Sequence, residues 1–198
     1  MTTELILASG SPRRREILDK LGFCFRVVRP ETDESRHDGE SPLEYVRRLS
    51  YEKARAVLSF PGVSSSSVIL AADTTIDYDG DVIGKPSSKS DFIGIMSRLG
   101  GNTHRVITGF TVLRGGKIHT DVVVSQVSFY RLTPSEIDWY WNTGEPCDKA
   151  GGYAIQGIGR KYIRHFQGSL SNIIGLPEDE ILRALSEFGV FPFGALDK

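Results

Sequence analysis

The run Ser9-Gly10-Ser11-Pro12-Arg13-Arg14-Arg15 puts hydroxyls, flexible backbone and three guanidinium groups into a short stretch. With Ser11 as N-cap and Pro12 as the first helical residue, the arginines fill the first turn of a helix. That end of a helix already carries partial positive charge, so each cation there costs a few tenths to about 1 kcal/mol. An anion would complete the arrangement. Free backbone N–H groups, serine hydroxyls and guanidinium forks would then converge on a phosphate. The alternative is a solvated basic turn pairing with Glu16 or Asp19; the serine–glycine lead-in after an apolar strand favours the anion site.

Lys53 falls on the apolar stripe of a second helix, in step with Val46, Leu49 and Val57. Its ammonium either snorkels to solvent or points into a cleft at the edge of the core, and spacing leaves the two open. A snorkelling cation would make Lys53→Met neutral or mildly stabilising. Asp73 closes the apolar run VILAAD, where a carboxylate serves either as a turn residue or in the crevice at the carboxyl ends of strands. Lys85 follows Gly84, but proline comes next where a P-loop needs Ser or Thr, so that loop is excluded. Residues 151–159 are glycine-rich without the order of a dinucleotide fingerprint; these glycines are expected to let backbone approach a flat ligand.

His37, His104, His119 and His165 have no zinc-ligand spacing, and there is neither a GxSxG elbow nor a cysteine–histidine nucleophile pattern. What remains is a set of cations suited to a polyphosphate, with carboxylates suited to a hard metal ion.

The elements that must position these groups are legible in outline. ELILA reads as a strand, followed by a helix closed at Gly22. FCFRVV reads as a second strand. A capping box at Ser41 and Glu44 opens a helix through about Leu58. VILAAD reads as a buried strand ending at Asp73, with an extended continuation that folds back at Asp79-Gly80. A helix over about 91–99 precedes a long hairpin turning at Gly115-Gly116. Thr133 caps another helix, strand and loop follow, and the last helix begins near Pro177. The mixture predicts an α/β protein with a mixed sheet. No linker divides residues 1–198, which read as a single domain.

Bulk properties bound the function. The chain has 198 residues, 24 basic and 25 acidic, for a net charge of −1. Such a balance gives no reason to expect nucleic acid or membrane as a partner. Cys24 and Cys147 form no CxxC pair and suit a reducing compartment, and no apolar leader or membrane span is read, so a cytoplasmic location is expected.

LILASGSPRRREIL, YVRRLSYEKA, ILAADT, GKP, CDKAGGYAIQG and NIIGLP together resemble the Maf family of nucleotide pyrophosphatases, along about the whole chain. The resemblance implies an elongated mixed β-sheet with flanking helices, two lobes around a deep cleft, as in inosine triphosphate pyrophosphatases. It implies that Ser9, Arg13, Arg14, Lys53 and Lys85 contact a triphosphate. Glu34 and Asp73 would handle Mg²⁺ or Mn²⁺ and the attacking water, with Asp73 as proton acceptor. Arg13, Thr74 and Gln156 match positions associated with base selection, in the pattern of the subgroup acting on dTTP and UTP. A homodimer is also implied.

A side-chain amide such as Gln156 can meet the N3–H and a neighbouring carbonyl of uracil or thymine together, and cytosine leaves it mispaired. The rival reading, a regulatory nucleotide-binding protein linked to septum formation, keeps the cations but has no use for both carboxylates. An RNA-binding module would want interleaved aromatics and a basic surface.

Overall fold

The computed structural model describes residues 3–193. β1 (Leu5–Ala8) is apolar at every position and buried throughout, the composition of a strand with neighbours on both sides. It runs parallel to β2 (Phe25–Val28) and to β3 (Val68–Tyr78). Helix α1 (Pro12–Lys20) joins β1 to β2, and α2 (Pro42–Ala56) joins β2 to β3. Beyond β3 every pairing is antiparallel, through β4 (Asp81–Ile83), β5 (Thr103–Arg114), β6 (Lys117–Phe129) and β7 (Ile163–Gln167). The sheet order is β2-β1-β3-β5-β6-β7, with β4 also on β3. The helices are completed by α3 (Lys89–Leu99), α4 (Pro134–Asn142), α5 (Leu170–Ile174) and α6 (Glu178–Glu187).

The long strands pass through two lobes. At one end Leu7, Leu18, Leu70, Phe110 and Leu185 pack on one face of the sheet, while Ile6, Ala54, Val57 and Ile69 pack on the other beneath α2. At the other end Ile76, Phe92, Met96, Val127 and Tyr140 form a separate core. The junction explains the cleft. β1 pairs with β3 only as far as Ala71, and β4 takes up the same edge only from Ile76. Residues 72–75 therefore face a notch between the two partner strands.

Local signals set the element ends. Ser41 and Glu44 exchange the two bonds of a capping box, as do Thr133 and Glu136. Gly22 takes a left-handed φ of 81° past α1, and Asp79 and Gly80 (φ 55° and 86°) make the tight β3–β4 turn. Two expectations need correction. β3 does not end at Asp73 but continues to Tyr78, because β5 pairs with it across the whole notch. α2 gives way after Ala56 to a 3-10 turn over Val57–Ser59. The short α5, capped by Ser169, lies between β7 and the last helix, where the sequence reading placed no element. Among the described residues no helix is long and apolar enough to cross a membrane.

Candidate active site

A cleft of about 650 Å³ opens at the notch, and all nine residues singled out from the sequence line it: Ser9, Arg13, Arg14, Glu34, Lys53, Asp73, Thr74, Lys85 and Gln156. They come from six separate segments, so the fold alone brings them together.

One wall is the turn from β1 into α1. Ser11 occupies the N-cap position, but its side chain makes no cap bond, and no acidic residue lies in the first turn. The Ser9 hydroxyl instead accepts from the Ser11 N–H (3.1 Å) and from Arg14 Nη1 (3.2 Å). Arg14 also donates from Nε to the Gly175 carbonyl (2.8 Å) and from Nη2 to the Thr74 hydroxyl (3.0 Å). Burial pushes this guanidinium down from the ordinary arginine value, against an opposing pull from Asp73. Three of its five N–H groups are thus used to brace the wall, leaving two for an anion. Arg13 lines the cleft beside it; burial would raise the Asp148 carboxyl, but its bond to Lys149 and the charges of Lys149 and, less, Arg13 hold it below the ordinary aspartate value.

On the floor, α2 presses directly onto the sheet. The Val46 carbonyl lies so close to Gly109 that a Cβ there would sit 2.4 Å from it. Two turns further along α2, Lys53 Nζ reaches Asp73 Oδ1 and Glu34 Oε1, both at 2.6 Å. This resolves the open reading of the lysine: it does not snorkel to bulk solvent, since its side chain is only 12% exposed. The Asp73 side chain is 11% exposed and belongs to the floor; that of Glu34 is 56% exposed and belongs to the rim. Burial would raise the Glu34 carboxyl, but the Lys53 bond and the charges of Lys53, Lys85 and Arg14 outweigh it and hold it below the ordinary glutamate value. The Tyr45 hydroxyl ties down the same segment by donating to the Glu34 carbonyl at 2.9 Å. Burial, then the nearby Asp73 and Glu34 charges, push that phenol up to about 12.

Among the described residues no cluster of three or more His, Cys, Asp or Glu side chains could hold a metal by itself. The pair Glu34 and Asp73 nevertheless fits Mg²⁺ or Mn²⁺, since both ions prefer oxygen donors and Mg²⁺ commonly uses one or two carboxylates with water and substrate phosphate. Both carboxylates already converge on one cation, the Lys53 ammonium.

The remaining wall is the loop that carries Gln156, whose exposed side chain lines the cleft. Its glycines do not serve as expected, because they make room for the protein's own groups. A Cβ at Gly157 would lie 2.1 Å from a Glu145 oxygen, one at Gly159 2.4 Å from the Tyr140 hydroxyl, and one at Gly151 2.1 Å from Ile76.

Residues 4–188 match the family described as Maf-like protein. The chain belongs to the Maf family. Its relatives include the dTTP/UTP pyrophosphatase of Vibrio vulnificus, 44% identical over 93% of this chain and 98% of that one. The dTTP/UTP pyrophosphatase of Anaeromyxobacter dehalogenans is 46% identical over 97% of each chain. Among solved structures, the Ham1 protein of Staphylococcus aureus aligns with a TM-score of 0.42 and 12% identity, over 93% of this chain and 98% of that one, a likeness too slight to argue from.

Within this Maf chain the cleft also holds groups that sequence reasoning passed over. Tyr45, Asp148 and Lys149 line it. Lys149 Nζ donates to the Glu145 carbonyl at 2.8 Å and pairs with Asp148. Behind the wall, Thr108 bonds the Thr74 hydroxyl (2.9 Å) and the Asn172 carbonyl (3.2 Å). The signal for Lys149 was present, since it lies within the CDKAGGYAIQG block. Tyr45 likewise opens the YVRRLSYEKA block, whereas Thr108 carries no local signal, because it acts through partners far away in sequence.

Proposed function

We propose that this protein hydrolyses nucleoside triphosphates, with dTTP and UTP preferred, to the monophosphate and pyrophosphate. The observation that carries the reading is the floor of the cleft, where one ammonium joins two carboxylates at 2.6 Å each, below a helix turn bearing Arg13 and Arg14. A binding protein needs the cations; the paired carboxylates make sense for attack by water. The names of the relatives supply the substrate class and agree with an amide at position 156.

Arg13, Arg14, Lys53 and Lys85 hold the phosphate chain and spread the charge of the departing pyrophosphate, which is electrostatic positioning. In the free protein Lys53 pairs with both Glu34 and Asp73. An arriving polyphosphate offers its ammonium a stronger partner and frees both carboxylates. Water bonds to the α-phosphorus while the bond from that phosphorus to the bridging oxygen breaks; pyrophosphate leaves with the electron pair, and Asp73 accepts the proton. A divalent cation held at Glu34 and Asp73 would supply neutralisation of phosphate charge and a more acidic water.

The test is a panel of nucleoside triphosphates with Mg²⁺, resolved by chromatography. UTP and dTTP should give monophosphate and pyrophosphate well ahead of CTP and the purine nucleotides. Release of orthophosphate and diphosphate, or binding without turnover, would refute the assignment.

A further inference from the structure

After α4 the chain turns through Gly144 (φ 77°) into a 3-10 turn that begins at Glu145. The Glu145 carboxylate accepts three bonds: Oε1 from the Tyr140 hydroxyl (2.5 Å) and the Gly159 N–H (2.9 Å), and Oε2 from the Ile158 N–H (2.7 Å). The buried Tyr140 hydroxyl in turn accepts from the Ala154 N–H at 3.3 Å. One carboxylate and one phenol therefore gather backbone donors from both sides of Gln156. Burial opposes the charge of Glu145, yet these donors outweigh it and hold the carboxyl below the ordinary glutamate value, so the bonds are charge-assisted at neutral pH.

The glycines give an independent sign that the loop is built around this group. Gly157 has φ −114°, open to any residue, so its need for glycine is steric. The obstacle is the Glu145 carboxylate itself, whose Cδ would lie 2.6 Å from an added Cβ. None of these groups is needed to hold phosphate, which meets the cleft at the opposite wall and on the floor.

We propose that Glu145 is the positioning residue for base selection: its carboxylate fixes the loop over residues 154–159 and so sets where the Gln156 amide meets the base. The proposal rests on the reading of Gln156 as the group that meets the base. In Glu145→Gln one oxygen becomes an NH₂ that opposes a backbone N–H, leaving a donor unpaired and the loop free to shift. Gly157→Ala pushes on the same carboxylate from the other side and keeps its charge.

The experiment measures kcat and KM for UTP and CTP with Mg²⁺ in wild type, Glu145→Gln and Gly157→Ala. It adds inhibition by inorganic tripolyphosphate as a probe without a base, and melting temperatures by calorimetry. Both variants should lose about tenfold of the UTP-over-CTP preference. The loss should appear as a raised KM for UTP, with kcat kept within about threefold and the inhibition constant for tripolyphosphate unchanged. If Glu145→Gln fails to fold, Gly157→Ala decides. A wild-type preference kept in the folded variants overturns the role of Glu145 alone, and so does an equal loss for UTP, CTP and tripolyphosphate. A wild type without preference overturns the base reading at Gln156, and this proposal with it.

Discussion

In the proposed reaction two side chains on the floor of the cleft, Asp73 and Lys53, carry most of the chemistry, and their contacts separate fold from turnover. Asp73 is fixed by its place in β3 and by Lys53, so Asp73→Asn keeps the shape of the site and one acceptor for the ammonium. Turnover should fall by about a hundredfold or more, with the KM for UTP nearly unchanged. Steady-state kinetics on protein of normal melting temperature checks this, and near-normal kcat would remove Asp73 from the reaction. Lys53→Met is more instructive, because the apolar stripe of α2 by itself suggests a neutral or stabilising change. The ion pairs reverse that expectation. Without the ammonium, Asp73 becomes a buried carboxylate missing its nearest counter-ion, which costs about 1–3 kcal/mol. Activity should collapse and the melting temperature should fall; a protein that melts normally and still cleaves UTP would show the pairs to be incidental.

Elements matter here through the closeness with which they are laid together. Lys53 reaches Asp73 because α2 lies against the sheet at Gly109, which pairs directly with Asp73. Gly109→Ala would set a methyl 2.4 Å from the Val46 carbonyl, and backbone cannot step aside as a side-chain tip can. α2 must lift, at about 1–3 kcal/mol, and the Lys53 ammonium lifts with it. Calorimetry and kcat/KM for UTP should both register the change, the latter by roughly tenfold; an unchanged melting curve would mean that α2 has slack. Elements were legible in the sequence where a few adjacent residues decide them. The capping boxes at Ser41 and Thr133, the left-handed Gly22 and the Asp79-Gly80 turn are of that kind. That the extended stretch beyond Asp73 is one strand with the apolar run was not, because polar Thr74, Thr75 and Asp77 stay in the strand through pairing with β5, and Asp77 is matched by Arg105. The glycines over residues 151–159 were visible, but their reason was not: each faces a group brought from elsewhere by the fold. The site residues could be named because the basic turn, the stripe lysine and the family blocks are local; Glu145 could not, since its partners lie 5 to 14 residues away around a loop.

At the scale of the molecule, the lobe that carries Gln156 contains an acid-sensitive point. His104 on β5 is buried at 2% exposure, between Phe129 and Tyr153. Its Nε2 bonds the Tyr153 hydroxyl at 2.7 Å, and its Nδ1 has no partner among the described residues. Among the described residues no carboxylate is bonded to it, and burial lowers its pKa to about 3. In the unfolded chain the same imidazole titrates near 6.5. Between these values the unfolded state binds a proton that the folded state refuses, so stability must rise with pH across that window and fall as pH drops through it. The limiting slope is about 1.4 kcal/mol per pH unit from this one group. The depressed carboxyls of Glu34 and Glu145 act in the same direction but only near and below about 4.3, where glutamate titrates in an unfolded chain. The interval from pH 6 to pH 5 therefore isolates the histidine. His104→Gln keeps a polar neighbour for Tyr153 and removes the proton site. Denaturant unfolding at pH 6 and pH 5 should show the wild type losing about 1 kcal/mol more than the variant over that step. Parallel losses would mean that His104 is not buried as a neutral group.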